Sequence, residues 1–594
     1  MSGLSIFYSG RASENLLRFE RISAFFGIEA QLIDVSVFPS LSAAITRAMK
    51  SEVGGIVLEL QSLGRSANEQ GLEETSALLS SSRVPIFLLV TDSDESTARL
   101  VQRFSEGRIE RVDGKRCPVT VRFPHSGKAF SAELSSHSYA RGAKEALTFV
   151  VFDQVDVCRI MELDGEPSFV QLGSETTPMF AWSTRNVFDI HKRLVAETEF
   201  ELTADEYIPA IMFLRYAFGN RCWHNPRIGA GIVIDDPLLK EKYGFINFRE
   251  LLESAKRNQY HVTLAFIPWN YWRTRRKELQ LFLEHSDCFA ICPHGCDHTS
   301  NEYGLADYDR LLGKNFVVRE RMKRHDRRTG LRSASLMICP QEKYSVEAMK
   351  AFSDSRQFLG LVCTACMPRN LSAPELTGAD LLWPAQDSFF GVPVLKRHYW
   401  NGMAIFAMSL FLGKPAILVE HHEFFRDGPR GAEDFVRGLA EMRPNLRWES
   451  LEQTFTHTHA RRQAGRDITD VRFFTDRFSL EHELEESTHY RFSRRIPAAS
   501  VPKRVLVGEK EASFHHENGF LTFETHLDSF QNVSVQVEIA PVRSTKTYSP
   551  GVKYRASVAV RRGFSEFRDN VIARSQLALK ASGILRRSLK RTIG

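Results

Sequence analysis

The reading of this chain turns on GAGIVIDDP, residues 229–237, taken with ICPHGCDHT, residues 291–299. Each is an apolar, strand-like run that stops abruptly on residue types that bind metals. The first delivers Asp235 and Asp236 to a strand end; the second delivers His294 and His298, four residues apart. A dry strand ending on two adjacent carboxylates is costly unless positive charge meets them. A divalent metal ion is the simplest such partner. Two imidazoles and one carboxylate form a ligand set that leaves a position open to water, as catalytic zinc sites do.

Outward from these runs, strand and helix patterns alternate. GAGIVIDDP leads to the helical NFRELLESAKRNQ, HVTLAFIPWNYW to RRKELQLFLEHS, and ICPHGCDHT to a long charged helix. SLMICP, FLGLVCTA, PVLKRHYW and PAILVEHHEFF continue the series. The polar residues fall at the C-terminal ends of the strands, where barrel-type α/β enzymes keep their chemistry. Upstream, residues 4–95 predict an α/β unit with a mostly parallel sheet, flavodoxin-like or amidotransferase-like in fold alone. No GxGxxG or P-loop follows its first strand, so a nucleotide site is not expected. Residues 110–200 are strand-rich and either complete that unit or form a small one. Past Arg461, short alternating runs such as HYRFSRRI and NVSVQVEIA predict an antiparallel β-sandwich. The expected division is 1–200, N-terminal α/β; 228–455, central barrel; 465–560, β-rich accessory domain; 561–594, basic helical tail.

With 594 residues, three or four domains are expected. No window approaches the roughly 18 consecutive apolar residues of a membrane span. The N-terminus, MSGLSIFYSGRASENLL, lacks the basic and apolar regions of a signal peptide, and the nine cysteines are odd in number and scattered. A cytoplasmic protein is therefore expected. From Arg561 onward nine Lys/Arg face two acids, leaving 69 basic against 70 acidic residues elsewhere. A neutral body with a basic tail argues against nucleic-acid binding and for a tail with its own partner. Lys/Arg interleaved with Ile572, Leu577, Leu585, Leu589 and Ile593 fits a helix lying on an anionic membrane surface, at the inner membrane face. A solvated helix or a protein-docking segment are the other readings.

Residues 228–455 resemble the polysaccharide deacetylase (NodB-homology) family. The resemblance rests on VIDDP, on HGCDH and on AILVEHH, in family order. It implies a distorted (β/α) barrel with fewer than eight full units. It makes Asp235 the general base, Asp236, His294 and His298 the ligands of a divalent metal, zinc or a harder ion, and His421 the general acid, with His422 as its neighbouring alternative. Two positions depart from the family. Pro237 stands where glycine is usual, and Cys339 precedes Pro340 where the third motif carries an arginine that orients the base. Arg397, in VLKRHYW, is the candidate replacement.

The chemistry implied is hydrolysis that removes an acyl group from an N- or O-acylated sugar. Metal-bound water would be deprotonated by Asp235, and His421 would protonate the leaving nitrogen. Backbone N–H groups after Pro340 are candidates for an oxyanion site, and Trp269, Tyr271, Trp272, Tyr399 and Trp400 for sugar-stacking walls or core. A cytoplasmic address favours a soluble or lipid-linked glycan precursor as partner. The rival reading is a catalytically idle deacetylase-fold module that binds glycan or serves assembly, favoured by Cys339. Glycoside cleavage is a third, requiring a second carboxylate opposite Asp235. Cys363 and Cys366 form a CxxC that reads as buried core before it reads as a zinc site.

Overall fold

A computed structural model describes residues 3–573, apart from 65–68, 153–156, 174–175, 275, 372–374, 484 and 543–547. The tail beyond 573, including Leu577, Leu585, Leu589 and Ile593, lies outside the described residues. The chain is a mixed α/β protein built from several sheets.

The strand-rich region 110–200 joins the first unit. Met179–Ser183 pairs in parallel with Ile86–Val90 and continues a parallel set made by Gly3–Tyr8, Ala30–Asp34 and Val53–Glu59. Antiparallel strands then extend the sheet to nine. The helix Ile208–Phe218 is apolar nearly all round and buried on most sides, because its core cluster reaches from Leu4 into the central unit.

The central strands do not form one continuous ladder, as the expected barrel would. They fall into two parallel sheets. One runs Phe289–Pro293, Val262–Phe266, Gly229–Asp235, Ala416–Glu420; the other joins Met337–Ile338, Leu361–Cys363 and Val394–Lys396. Isolated parallel bridges link their edges, His294 with Ile338 on one side and His398 with Leu418 on the other. Short strands of two and three residues explain the broken ladder. All strands present their C-terminal ends on one side, so loops that follow distant segments meet there.

Past residue 458, a five-stranded and a four-stranded sheet close on a core of Phe473, Phe478, Phe492, Phe523 and Val535. The expected all-antiparallel pattern holds except that Ile468–Phe473 and Thr488–Arg495 pair in parallel. The chain then returns to the central unit as the helix Val552–Phe567, nine residues before the expected start of the tail.

Candidate metal centre and active site

Asp235 is the last residue of the buried strand Gly229–Asp235. Asp236 adopts a φ of 70°, a left-handed conformation that aspartate tolerates better than most residues. Successive strand side chains would otherwise point to opposite faces. The turn instead brings both carboxylates to the histidine pair.

His294 Nδ1 lies 3.1 Å from the Ile338 carbonyl and donates to it, which leaves the Nε2 lone pair 3.6 Å from Asp236 Oδ1. His298 Nε2 is 3.1 Å from the same oxygen. The loop between the histidines is held by Glu302, a residue that no sequence pattern marked. Its buried carboxylate accepts from the N–H groups of Cys296, Asp297 and His298 at 2.9–3.1 Å and pairs with Lys314 at 2.9 Å. Arg321 pairs with Asp297 at 2.6 Å. Cys296, Asp297 and Glu302 also cluster, but these two cations already neutralise them.

Gly295 has a φ of 64°, and a Cβ there would meet Pro340 Cγ at 2.4 Å and Glu302 Oε2 at 2.5 Å. Gly295→Ala is therefore expected to displace both histidines and weaken metal uptake by at least about ten-fold, the scale seen for disturbed support of metal ligands. Metal titration of the variant checks this.

Arg397 follows the strand Val394–Lys396 and is fully buried. Its guanidinium clasps Asp235 at both oxygens, 2.7 and 2.8 Å, and also contacts Glu342. Glu342 sits in the turn after Cys339–Pro340, where Gln341 and Glu342 both have positive φ. The third-motif turn thus supplies a carboxylate to hold the arginine, in place of the arginine itself. The N–H groups of Glu342 and Lys343 turn back to Cys339 and Pro340 carbonyls, so these two are not free for an oxyanion.

His421, just past Ala416–Glu420, stacks on Tyr399 with rings 5° from parallel and bears electrostatically on Asp235. His422 points away, packed by Tyr243 and Phe245 and 3.5 Å from Asp569 of the C-terminal segment. Trp272, Tyr399 and Trp400 keep exposed rings, whereas Trp269 packs under Arg321. Cys363 is buried against Cys339, and all nine cysteines are free thiols.

Burial pushes the Asp235 carboxyl up, but the Arg397 guanidinium outweighs it and holds the group well below the usual carboxylate range. Burial likewise opposes ionisation of Asp236, but its neighbours His298, His294 and Arg562 outweigh that and hold its carboxyl below the usual range. Burial, against the pull of Asp236, brings the His298 imidazole down to about 4, so it is neutral at pH 7. Asp236 Oδ1 is buried and accepts no hydrogen bond. An ionised oxygen without a donor, facing two imidazoles, fits a divalent cation: the ligand atoms of Asp236, His294 and His298 all lie within 4.8 Å of one another.

No family model matches the chain, and no curated protein does. Among solved structures it is similar to Agd3, a carbohydrate deacetylase, over 91% of this chain and 99% of that one, at 11% identity and a TM-score of 0.43. It is also similar to the Bc1960 peptidoglycan N-acetylglucosamine deacetylase, over 39% of this chain and 90% of that one, at 11% identity and a TM-score of 0.24. These are likenesses of fold.

Proposed function

We propose that the chain is a metal-dependent hydrolase that removes an acyl group from an N- or O-acylated sugar of a glycan or glycan precursor. The observation that carries this reading is the convergence of Asp236, His294 and His298 beside an Asp235 clasped by Arg397. We take the two bridged central sheets as a distorted (β/α) barrel. The proposed domain division is 1–200, 228–455, 465–560 and 561–594, with the helix Val552–Phe567 running across the last boundary and the central domain carrying the chemistry.

Asp236, His294 and His298 would hold the ion, zinc being the first choice for a His–His–carboxylate set. Such an ion polarises an acyl oxygen and lowers the pKa of water to about 7. Asp235 stays ionised at every relevant pH and takes the proton from water. Its low pKa makes it a weak base, which suffices only because the water is acidified. Arg397 fixes the orientation of Asp235, and His421 would donate the proton to the leaving nitrogen. The bidentate Arg397 contact favours the enzyme over an idle module, since the charge missing at Cys339 arrives from another strand.

The helix Val552–Phe567 turns Val560, Phe564 and Phe567 to solvent, Phe564 being 69% exposed, with Arg561 and Arg568 beside them. This face supports contact with an anionic membrane surface from the cytoplasmic side, and with it a lipid-linked precursor as substrate. Among the described residues no helix is long and apolar enough to cross a membrane.

The deciding experiment is elemental analysis of the purified protein beside a His294→Ala, His298→Ala double variant, followed by an acyl-sugar hydrolysis screen. About one metal per chain, lost in the double variant, together with acyl release, is the expected result. Absence of metal after reconstitution would overturn the reading.

A further inference from the structure

The C-terminal helix docks on the loops around the site and carries there a guanidinium that, among the described residues, no side chain pairs. Its inward face is Tyr554, Val558, Arg562 and Glu566, at four-residue spacing. Tyr554 Oη donates to Asp297 Oδ2 at 2.9 Å, in the loop between the histidines. Arg273 clasps Glu566 with both terminal nitrogens. Just beyond the helix, Tyr243 Oη donates to Asp569 Oδ2 at 2.7 Å, and Gly244 N–H to Asn570 Oδ1 at 3.0 Å. The helix is thus tied to the loops that follow three successive central strands, those carrying Tyr243, Arg273 and Asp297.

Arg562 sits in the middle of this span. It is 3% exposed, and among the described residues it has no ion pair and no hydrogen bond; its Nε is buried without a partner. Other buried arginines each face a carboxylate: Arg141 meets Asp205, Arg397 meets Asp235, Arg472 meets Asp387 and Arg494 meets Asp476. The charge of Arg562 is felt instead by Asp236 and His298. A buried guanidinium without a counter-charge is costly. A divalent ion on Asp236, His294 and His298 would deepen the imbalance. Asp235 and Glu342 are already taken by Arg397, so Arg562 and that ion would have Asp236 alone to share. The missing partner is therefore an anion that enters with the substrate.

We propose that Arg562 recognises an anionic group, a carboxylate or a phosphate, carried by the sugar whose acyl group is removed. This rests on the reading under Proposed function and narrows it to acidic saccharides. The C-terminal helix is then part of the substrate site, not an appended tail. A planar guanidinium offers paired donors that match either oxyanion.

The test uses the full chain loaded with zinc, as wild type, Arg562→Gln, Arg562→Lys and Arg555→Gln, the last altering an exposed residue of the same helix. Calorimetric titration compares N-acetylglucosamine with N-acetylglucosamine 1-phosphate and with an N-acetylated uronic acid. The two charged probes separate phosphate from carboxylate recognition. A charge-assisted contact to arginine predicts at least about ten-fold tighter binding of one charged probe by wild type and by Arg555→Gln. That preference disappears in Arg562→Gln and partly survives in Arg562→Lys, with metal content unchanged throughout. Where turnover is found, Arg562→Gln raises KM for the charged substrate and spares kcat. Equal binding of charged and neutral probes by wild type overturns the inference. So does a preference that persists in Arg562→Gln, which would put the anion on the metal alone. If Arg562→Gln loses its metal, Arg562→Lys decides: a metal-loaded variant with no preference overturns the inference. Arg562-dependent binding of anionic sugars without any acyl release would keep this inference and sink the hydrolase reading. Hydrolysis of neutral acyl sugars unaffected by Arg562→Gln would do the reverse.

Discussion

Arg397→Met is expected to lower stability by about 3–5 kcal/mol, the range seen when one member of a buried ion pair is removed. Arg397 is fully buried, and its guanidinium is shared by two carboxylates, Asp235 and Glu342. Methionine fills most of the same volume, so a packing void contributes little. What remains is two carboxylates in a dry site with their cation gone. The diagnostic is recovery. Asp235→Asn and Glu342→Gln added to Arg397→Met remove the stranded charges, and the triple variant should regain most of the lost stability. Arg397→Lys keeps the charge but lacks the fork that meets both Asp235 oxygens, so it should fall between wild type and Arg397→Met. Thermal unfolding of the metal-free proteins measures all of these. An Arg397→Met variant that melts with wild type would show that the pair carries no net stability. A triple variant no better than the single one would point to packing, not charge.

The same triad shows where sequence stops being legible. Asp235, Asp236, His294 and His298 were readable because each ends an apolar run, and a local pattern marks it. Arg397 was readable only as a nearby cation on another strand; its partner lies 162 positions away. Glu302 and Glu342 carry no local mark at all. They are loop carboxylates whose roles depend on which backbone N–H groups and which arginine the fold brings to them. The broken central ladder escaped notice because strands as short as Met337–Ile338 leave no periodicity to read. The docking of the helix Val552–Phe567 over the site escaped notice for a different reason. Hydrophobic periodicity finds the apolar face, and here the apolar residues Val560, Phe564 and Phe567 face out. The face that docks is polar: Tyr554, Arg562, Glu566 and, past the helix end, Asp569. A search for apolar stripes therefore does not find this docking, and the solvent, membrane or partner contact expected of the basic tail rests on Leu577, Leu585, Leu589 and Ile593, which lie outside the described residues.

Asp235→Asn is expected to lower turnover by about 10²–10⁴-fold while leaving metal content near wild type, the loss typical of a removed acid–base group. Asparagine matches aspartate in shape, and its carbonyl oxygen still accepts from Arg397. It has no capacity to take a proton from water. Its amide also turns an N–H toward a guanidinium that carries only donors, so Arg397 would lean further on Glu342 and some stability would be lost as well. Asp236→Asn makes the complementary change one residue along. Asp236 Oδ1 is the buried oxygen nearest both imidazoles, 3.1 Å from His298 and 3.6 Å from His294. Removing its charge should release the metal, and turnover would fail for want of it. The two neighbours thus give different signatures: metal kept with turnover lost at 235, metal lost at 236. Elemental analysis and hydrolysis assays on the pair read both. Loss of metal from Asp235→Asn with retention in Asp236→Asn would exchange the two roles. Undiminished turnover in Asp235→Asn would remove it as the base and turn attention to Glu420. Its carboxyl, raised by burial and sensitive to both His421 and Asp235, ends the neighbouring strand Ala416–Glu420.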